Sequence, residues 1–262
     1  MSAMCPANSG KLHRFGWGDK DYERAFAALL KCSGERTHVH AYLQEVLHGY
    51  PRDSHAVDWG AGSGDLTAWL LAHFDHVTAV EPSPVFRACL ARQCPDALIV
   101  DGTLSGYIPR CPVDVAIISH VFYHLPDHQW AACALRAARQ LSERGVLLMM
   151  LKDPNSGCNR MLEHFGAPRF NLVEQLQPLI SGHGEFNYTL DRVPGSFVTT
   201  HFEETLDIAR LLLCDRDDGA FSAMPDEAEF VDYVREHFWD EETGQGGWHY
   251  DVMIASMRRR RA

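Results

Sequence analysis

The 262-residue sequence contains no apolar run approaching the roughly 18 residues of a bilayer-spanning helix, so no membrane partner is expected. Its opening segment, MSAMCPANSGKLHRFGWGDK, carries no apolar h-region, so a secretory signal is not expected there. Internal repeats and low-complexity tracts are missing. With 46% hydrophobic and 23% charged residues, the collagen-like and disordered classes are excluded and a sizeable core can form. None of the eight cysteines (Cys5, Cys32, Cys89, Cys94, Cys111, Cys133, Cys158, Cys214) stands in a CxxC pair. A chain of this size needs no disulfide staples, and the cysteines read as reduced thiols of a cytoplasmic protein. Positive charge is scarce: 24 Lys and Arg face 35 Asp and Glu, a net charge of −11. Four of those cations form the terminal run Arg258 to Arg261, which reads as a solvated tail. An acidic body repels phosphate backbones, so nucleic acid is not the expected partner.

What is present is a change of rhythm. The first 50 residues read as helical. Tyr22, Phe26, Leu29 and Leu30 share one face; after a break at Ser33-Gly34, Val39, Tyr42, Leu43, Val46 and Leu47 share another, which Gly49 and Pro51 end. From residue 55 strands alternate with helices. Strands are expected at His55–Asp58, Val77–Val80, Ala97–Val100, Val113–Ile118 and Gly145–Leu151. Helices are expected from Asp65, over Pro84–Gln93 and over about His128–Leu141. Short, continuously apolar strands between helices imply a parallel sheet covered on both faces. Residues 153–194 read as an insertion over the ligand edge, with one helical piece near Asn171–Ile180. A strand at Phe197–Phe202, helices at Glu204–Leu213 and Glu227–Phe238, and a last strand at His249–Met257 complete an α/β, seven-stranded, mostly parallel sheet whose last strand is antiparallel.

The decisive segment is Asp58-Trp59-Gly60-Ala61-Gly62-Ser63-Gly64-Asp65, between the first strand and its helix. Its glycines let the backbone turn tightly and approach a ligand, and the helix amino end beyond offers unpaired N–H groups. The next strand ends in Val80-Glu81-Pro82-Ser83, placing a carboxylate 21 residues after Gly60, where it can accept from ribose hydroxyls. A dinucleotide site wants GxGxxG facing a pyrophosphate, but the spacing here is GxGxG, with Asp65 in place of the third glycine. Asp58 and Asp65 bracket the loop, repelling a diphosphate and favouring a cationic sulfonium. The expected cofactor is therefore S-adenosyl-L-methionine, with S-adenosyl-L-homocysteine as product, rather than NAD.

Through AVDWGAGSG, VTAVEPS, LIVDGT and DVAIISHVFYHLPD, residues 55–151 resemble the Rossmann-like S-adenosylmethionine-dependent methyltransferases. The resemblance implies a Rossmann-like methyltransferase fold over 51–262, preceded by an N-terminal helical lid, 1–50. It implies cofactor contacts from Asp58, Gly60 and Gly62 at the methionine end and Glu81 and Pro82 at the ribose. Asp101 and Gly102 would flank the adenine, with Ser119 and His120 closing the site. The flanks are similar, more diffusely, to histamine N-methyltransferase, through Asp19-Lys20-Asp21-Tyr22, Lys31-Cys32-Ser33-Gly34-Glu35, Asn155-Ser156-Gly157, Phe165-Gly166 and the stretch around Thr205-Leu206-Asp207-Ile208. That similarity implies an acceptor site of Tyr22, Phe26, Glu35, Tyr123, His124 and His249, in which Glu35 meets a substrate amine. Cys158 and Leu162 stand where that family has tryptophans, Phe86 replaces a polar contact and His120 replaces a glutamine, so the acceptor is not expected to be histamine itself.

The expected function is methyl transfer to a nitrogen of a small amine or N-heterocycle, with His120 as general base and Glu35 beside it as a catalytic candidate. Three alternatives remain open: O-methylation of a phenol or carboxylate, a non-catalytic partner protein on the same fold, and a dehydrogenase. Glu35 can equally belong to a helix start at Ser33-Gly34-Glu35. His120, His124 and His128 are spaced four apart, but Pro126 interrupts a helix there and no Cys or carboxylate completes a ligand set. Asp153 and Asn155 resemble half of a magnesium site whose other acid is missing, so no metal is expected. Trp59, Trp69 and Trp130 read as packing residues, and Asp215, Asp217 and Asp218 as a solvated turn. The oligomeric state is not readable.

Overall fold

The structure, a computed structural model, describes residues 10–14, 19–167, 169–182, 184–214 and 224–260, and of residue 181 the backbone alone. Cys5, the Asp215/Asp217/Asp218 turn and Arg261 lie outside the described residues. The elements run α1 (Lys20–Cys32), α2 (Glu35–Val46), β1 (His55–Trp59), α3 (Asp65–His73), β2 (His76–Val80), α4 (Pro84–Gln93), β3 (Leu98–Val100), β4 (Val113–Ser119), α5 (Trp130–Arg139), β5 (Leu141–Lys152), α6 (Gly157–His164), α7 (Leu172–Gly182), β6 (Phe186–Thr199), α8 (Phe202–Cys214), α9 (Glu227–Phe238), β7 (Trp239–Asp240) and β8 (Gln245–Arg259).

The chain divides into two compact units. The sheet unit gathers the described parts of Thr37–Asp153, Asn171–Val193 and Asp251–Ala262. Its strands lie in the order β3-β2-β1-β4-β5-β8-β6, parallel from β3 to β5 and antiparallel between β5 and β8. This is the expected seven-stranded sheet, flanked by helices; β7 is a two-residue eighth strand paired to β8. The central strands are buried along nearly their whole length, which is why they read as unbroken apolar runs. Asp114 interrupts the β4 run because it has structural work. Its Oδ2 accepts from the His55 amide at 3.0 Å and its Oδ1 from the Ser142 hydroxyl at 2.6 Å, joining β1, β4 and β5.

Several boundaries differ from expectation: β8 runs over Gln245–Arg259 rather than His249–Met257, Phe202 opens α8 instead of ending a strand, and three others have identifiable reasons. β5 begins at Leu141, not Gly145: Leu141 pairs with Val113, and the ladder then jumps to Val146 opposite Val115, so the polar stretch Ser142–Gly145 is a bulge within the strand. α5 starts only at Trp130, because Pro126 precedes a separate 3-10 turn, Asp127–Gln129. The 153–194 stretch is more ordered than its Asn, Gly and Pro content suggests. It holds α6, α7 and the first part of β6, which begins at Phe186 rather than Phe197.

The helical unit gathers the described parts of Met1–Arg36 with Pro154–Phe170 and Pro194–Tyr250. There α1 packs on α8, and α8 on α9 and α6, around Tyr22, Ala25, Ile208, Ala209, Phe230 and Val234. The buried stripe of α1 is centred on Tyr22 and Ala25, so Leu30, expected on that face, is exposed. Ends of β6 and β8 also lie in this unit, where Phe197 packs its ring on Trp248 and Tyr250.

Candidate active site

The glycine turn at the end of β1 has the geometry its sequence requires. Gly60, Gly62 and Gly64 hold φ of 75°, 54° and 101°, a region side chains disfavour. The Gly60 and Ala61 amides both reach the Val80 carbonyl, at 2.8 and 3.2 Å, fastening the turn to the tip of β2. A Cβ on Gly60 would fall 2.3 Å from Val121 Cγ2. A Cβ on Gly62 would meet nothing within 4 Å, so the turn presents bare backbone to open space there. Below it, Asp58 is 2% exposed and its Oδ2 accepts from the Thr67 hydroxyl at 2.7 Å. Burial pushes the Asp58 carboxyl up to about 6; the Thr67 hydrogen bond opposes the rise, and the charges of Glu81 and Asp65 add to it. A buried acid among two others favours a cation and disfavours a diphosphate.

Glu81 is 3% exposed, and each of its carboxylate oxygens accepts a backbone amide, Oε2 from Gly62 at 2.9 Å and Oε1 from Ser83 at 2.8 Å. A carboxylate has about four lone-pair sites, so two remain for hydroxyl donors such as a ribose diol. Ser83 also caps α4, accepting from the Phe86 amide. One strand further out, Asp101 leaves β3 exposed and pairs with Arg87 of α4 at 2.9 Å, followed by half-buried Gly102.

At the exit of β4, Ser119 and His120 are half-buried. His120 is, among the described residues, the one non-glycine with positive φ, 56°. That conformation costs about 1–2 kcal/mol in an ordinary residue. It is held by the His120 amide bonding the Met150 carbonyl at 3.0 Å and by Tyr123, whose Oη lies 3.3 Å from His120 Nδ1. Tyr123 Oη in turn accepts the Lys152 amide at 3.1 Å. His124 is exposed in the same turn.

A turn of bare backbone beside a buried ribose-type acid, backed by an acid raised by burial, fits a cationic nucleoside. Residues 57–149 match the family described as "Methyltransferase domain". Residues 57–149 thus carry a methyltransferase domain. The chain is 34% identical over 100 residues to an uncharacterised methyltransferase of Bacillus licheniformis, covering 37% of this chain and 47% of that protein. It is 32% identical over 130 residues to the trans-aconitate 2-methyltransferase of Klebsiella pneumoniae, covering 47% and 49%. The chain thus spans about half the length of these curated relatives. In fold it is similar to the YcgJ protein of Bacillus subtilis, with a TM-score of 0.58 at 14% identity over 86% of this chain and all of that one. The residues of this domain fit such a cofactor: Gly60, Gly62 and Glu81 would cradle it, with Asp58 beneath.

The acceptor candidates outside this domain lie in the helical unit. Tyr22 is buried and stacks on half-buried Phe26 at 6.1 Å between ring centroids. Glu35 opens α2, but it is Ser33 Oγ that accepts from the Glu35 amide, at 3.3 Å. The Glu35 carboxylate is therefore not the cap; its Oε2 accepts the Tyr250 hydroxyl at 2.8 Å. Tyr250 is a residue that the sequence reading missed. Alternation along β8 was the available signal: Trp248 and Tyr250 are buried, and His249 between them is exposed. His249 instead borders a cavity of about 320 Å³ with Phe197, Phe238, Trp239 and Trp248, and neither Glu35 nor Tyr250 lines it. Asp153 is buried and its Oδ2 accepts from Arg192 at 2.9 Å. Trp59 and Trp130 are fully buried, as expected of packing residues; Trp69 is half-buried and stacks on His73 at 3.9 Å.

Proposed function

We propose that the protein transfers the methyl group of S-adenosylmethionine to a nitrogen of a small amine or N-heterocycle. The observation that carries this reading is the Gly60–Gly64 turn, open at Gly62 and joined by its amide to the buried Glu81 carboxylate. When bound, S-adenosylmethionine supplies an electrophilic methyl on a sulfonium centre whose leaving group is already in place. The protein's part is to bind, orient and exclude water. The Gly60–Gly62 backbone and Asp58 take the methionine end, Glu81 and Pro82 the ribose, Asp101 and Gly102 the base, with Ser119 and His120 closing the site.

A nitrogen attacks only when neutral. With Nδ1 engaged by Tyr123 Oη, His120 receives the acceptor's proton at Nε2. Tyr123 and His124 belong to the acceptor side of the methyltransferase domain. Glu35, with Tyr22 and Phe26, is proposed to recognise the acceptor from the helical segments, its carboxylate oriented by Tyr250, whereas His249 faces a cavity that none of these residues lines. His120→Ala should lower turnover at least 100-fold, the usual scale of general acid–base assistance, with cofactor affinity unchanged. Full turnover in that variant refutes the base assignment.

A second reading is O-methylation of a carboxylate, favoured by the similarity to a trans-aconitate 2-methyltransferase. Mass spectrometry of the product after mild alkali separates the two, because a methyl ester hydrolyses and an N-methyl group survives. A non-catalytic partner role would show as no cofactor binding. Among the described residues no helix is long and apolar enough to cross a membrane. The net charge of −11 argues against a nucleic-acid acceptor, and a cytoplasmic location fits cysteines that stand in no CxxC pair.

A further inference from the structure

The structure assigns to Arg87 the task of setting which base the nucleoside cradle accepts, by fixing the Asp101 carboxylate at the outer end of the site. The inference rests on the cofactor-site reading above. The sheet order β3-β2-β1 places three strand tips in a row: the bare turn at Gly60–Gly62, Glu81, then Asp101. Adjacent strands lie about 4.8 Å apart, so the row spans roughly 10 Å, the reach of a nucleoside from its 5′ carbon to the far edge of its base. With the sulfonium at the first tip and the ribose at the second, the base arrives at the third.

Asp101 on its own is a poor recognition group. Its side chain is 72% exposed, and an exposed carboxylate turns freely in water. Arg87 removes that freedom. Its Nη1 donates to Asp101 Oδ1 at 3.0 Å and its Nη2 lies 2.9 Å from Oδ2, the two-pronged arrangement that fixes the plane of both groups. The same Nη1 donates to the carbonyls of Glu81, at 3.0 Å, and Pro82. The Arg87 side chain is only 22% exposed, and its guanidinium is thereby anchored to the turn whose carboxylate holds the Gly62 amide. Arg87 is thus a positioning residue spanning two tips of the row.

The chemical consequence is selectivity. With the guanidinium on one side, the lone pairs left to Asp101 face away from Arg87 and can only accept. A base whose edge donates, such as the 6-amino group of adenine, is matched. A base with a carbonyl in that place sets two acceptors against each other. Lysine cannot make the two-pronged contact, so Arg87→Lys keeps charge without fixing the plane.

Calorimetric titration of the full-length protein with S-adenosylhomocysteine and with S-inosylhomocysteine, its 6-oxo analogue, tests this. The wild type should prefer the adenine compound by about tenfold or more, the order of one charge-assisted hydrogen bond. Arg87→Ala should weaken S-adenosylhomocysteine by about tenfold and erase most of that preference, and Arg87→Lys should recover part of the affinity but not the preference. Equal losses on both ligands would make Arg87 a mere brace and overturn the proposal, as would wild-type affinity and preference in Arg87→Ala. If Arg87→Ala does not fold by circular dichroism, Arg87→Lys carries the test, and an unchanged preference there overturns it. A wild type that binds neither ligand refutes the cofactor reading itself; a wild type that binds both with an indifferent Arg87 refutes only this inference.

Discussion

A methyl group added at position 62 would touch no protein atom within 4 Å, whereas the same group at position 60 would strike Val121. The two substitutions therefore separate folding from binding. Gly62→Ala should cost about 1–2 kcal/mol for its left-handed backbone, a modest drop in melting temperature, yet lower S-adenosylmethionine affinity by at least tenfold because the methyl projects over the turn. Gly60→Ala bears that cost plus repacking of Val121, and should melt well below Gly62→Ala. Equal binding by Gly62→Ala and the wild type would show that the open side of the turn is not the cofactor's side.

Asp58 makes the second prediction at this scale. Its folded pKa of about 6 lies above that of an unfolded aspartate, so the folded state holds the proton more tightly. The stability this group contributes is present below about pH 4 and is lost as pH rises through 6, a loss of roughly 2–3 kcal/mol. Asp58→Asn, whose amide oxygen can still accept from Thr67, should thus be at least as stable as the wild type at pH 7. It should also bind S-adenosylmethionine more weakly, and without the fall in affinity that the wild type shows below pH 6. Chemical denaturation and titration across pH 5 to 8 check both halves. Glu81 and the glycines were legible in the sequence because they stand at recognisable positions where two strands end; Arg87, Thr67 and Tyr250 were not, because their roles exist only through the side chains of Asp101, Asp58 and Glu35.

Among the elements, the parallel core was readable and its outer strands were not. β1, β2 and β4 are buried on both faces, so apolar run length marks them. β6, by contrast, is exposed over Thr189–Arg192 and carries Pro194, which disguises its first part, Phe186–Ser196, as a loop. The β5 bulge was equally hidden, because its reason lies in Asp114 of another strand. Asp114→Ala would leave the His55 amide and Ser142 hydroxyl without this acceptor, at about 1–3 kcal/mol. The expected outcome is a lower denaturation midpoint with S-adenosylhomocysteine affinity retained, since Asp114 lies at the start of β4 and the cradle at the strand ends. A midpoint unchanged from wild type would remove Asp114 from the sheet's supports.

For the whole molecule, the methyltransferase domain brings together a glycine turn open at Gly62 and two buried carboxylates, Asp58 and Glu81, with the Arg87 guanidinium engaged by Asp101. The net charge of −11 extends the same preference to long range, drawing a sulfonium and slowing the approach of a diphosphate. The acceptor side was less readable than the cofactor side because its candidates are scattered from Tyr22 to His249 and share no fixed spacing. The most direct test of the central claim is calorimetric titration of the full chain with S-adenosylmethionine, with NAD as the counter-ligand. Saturable one-to-one binding of S-adenosylmethionine, displaced by S-adenosylhomocysteine and untouched by NAD, is the predicted result. Tight NAD binding, or no heat with S-adenosylmethionine, would contradict it.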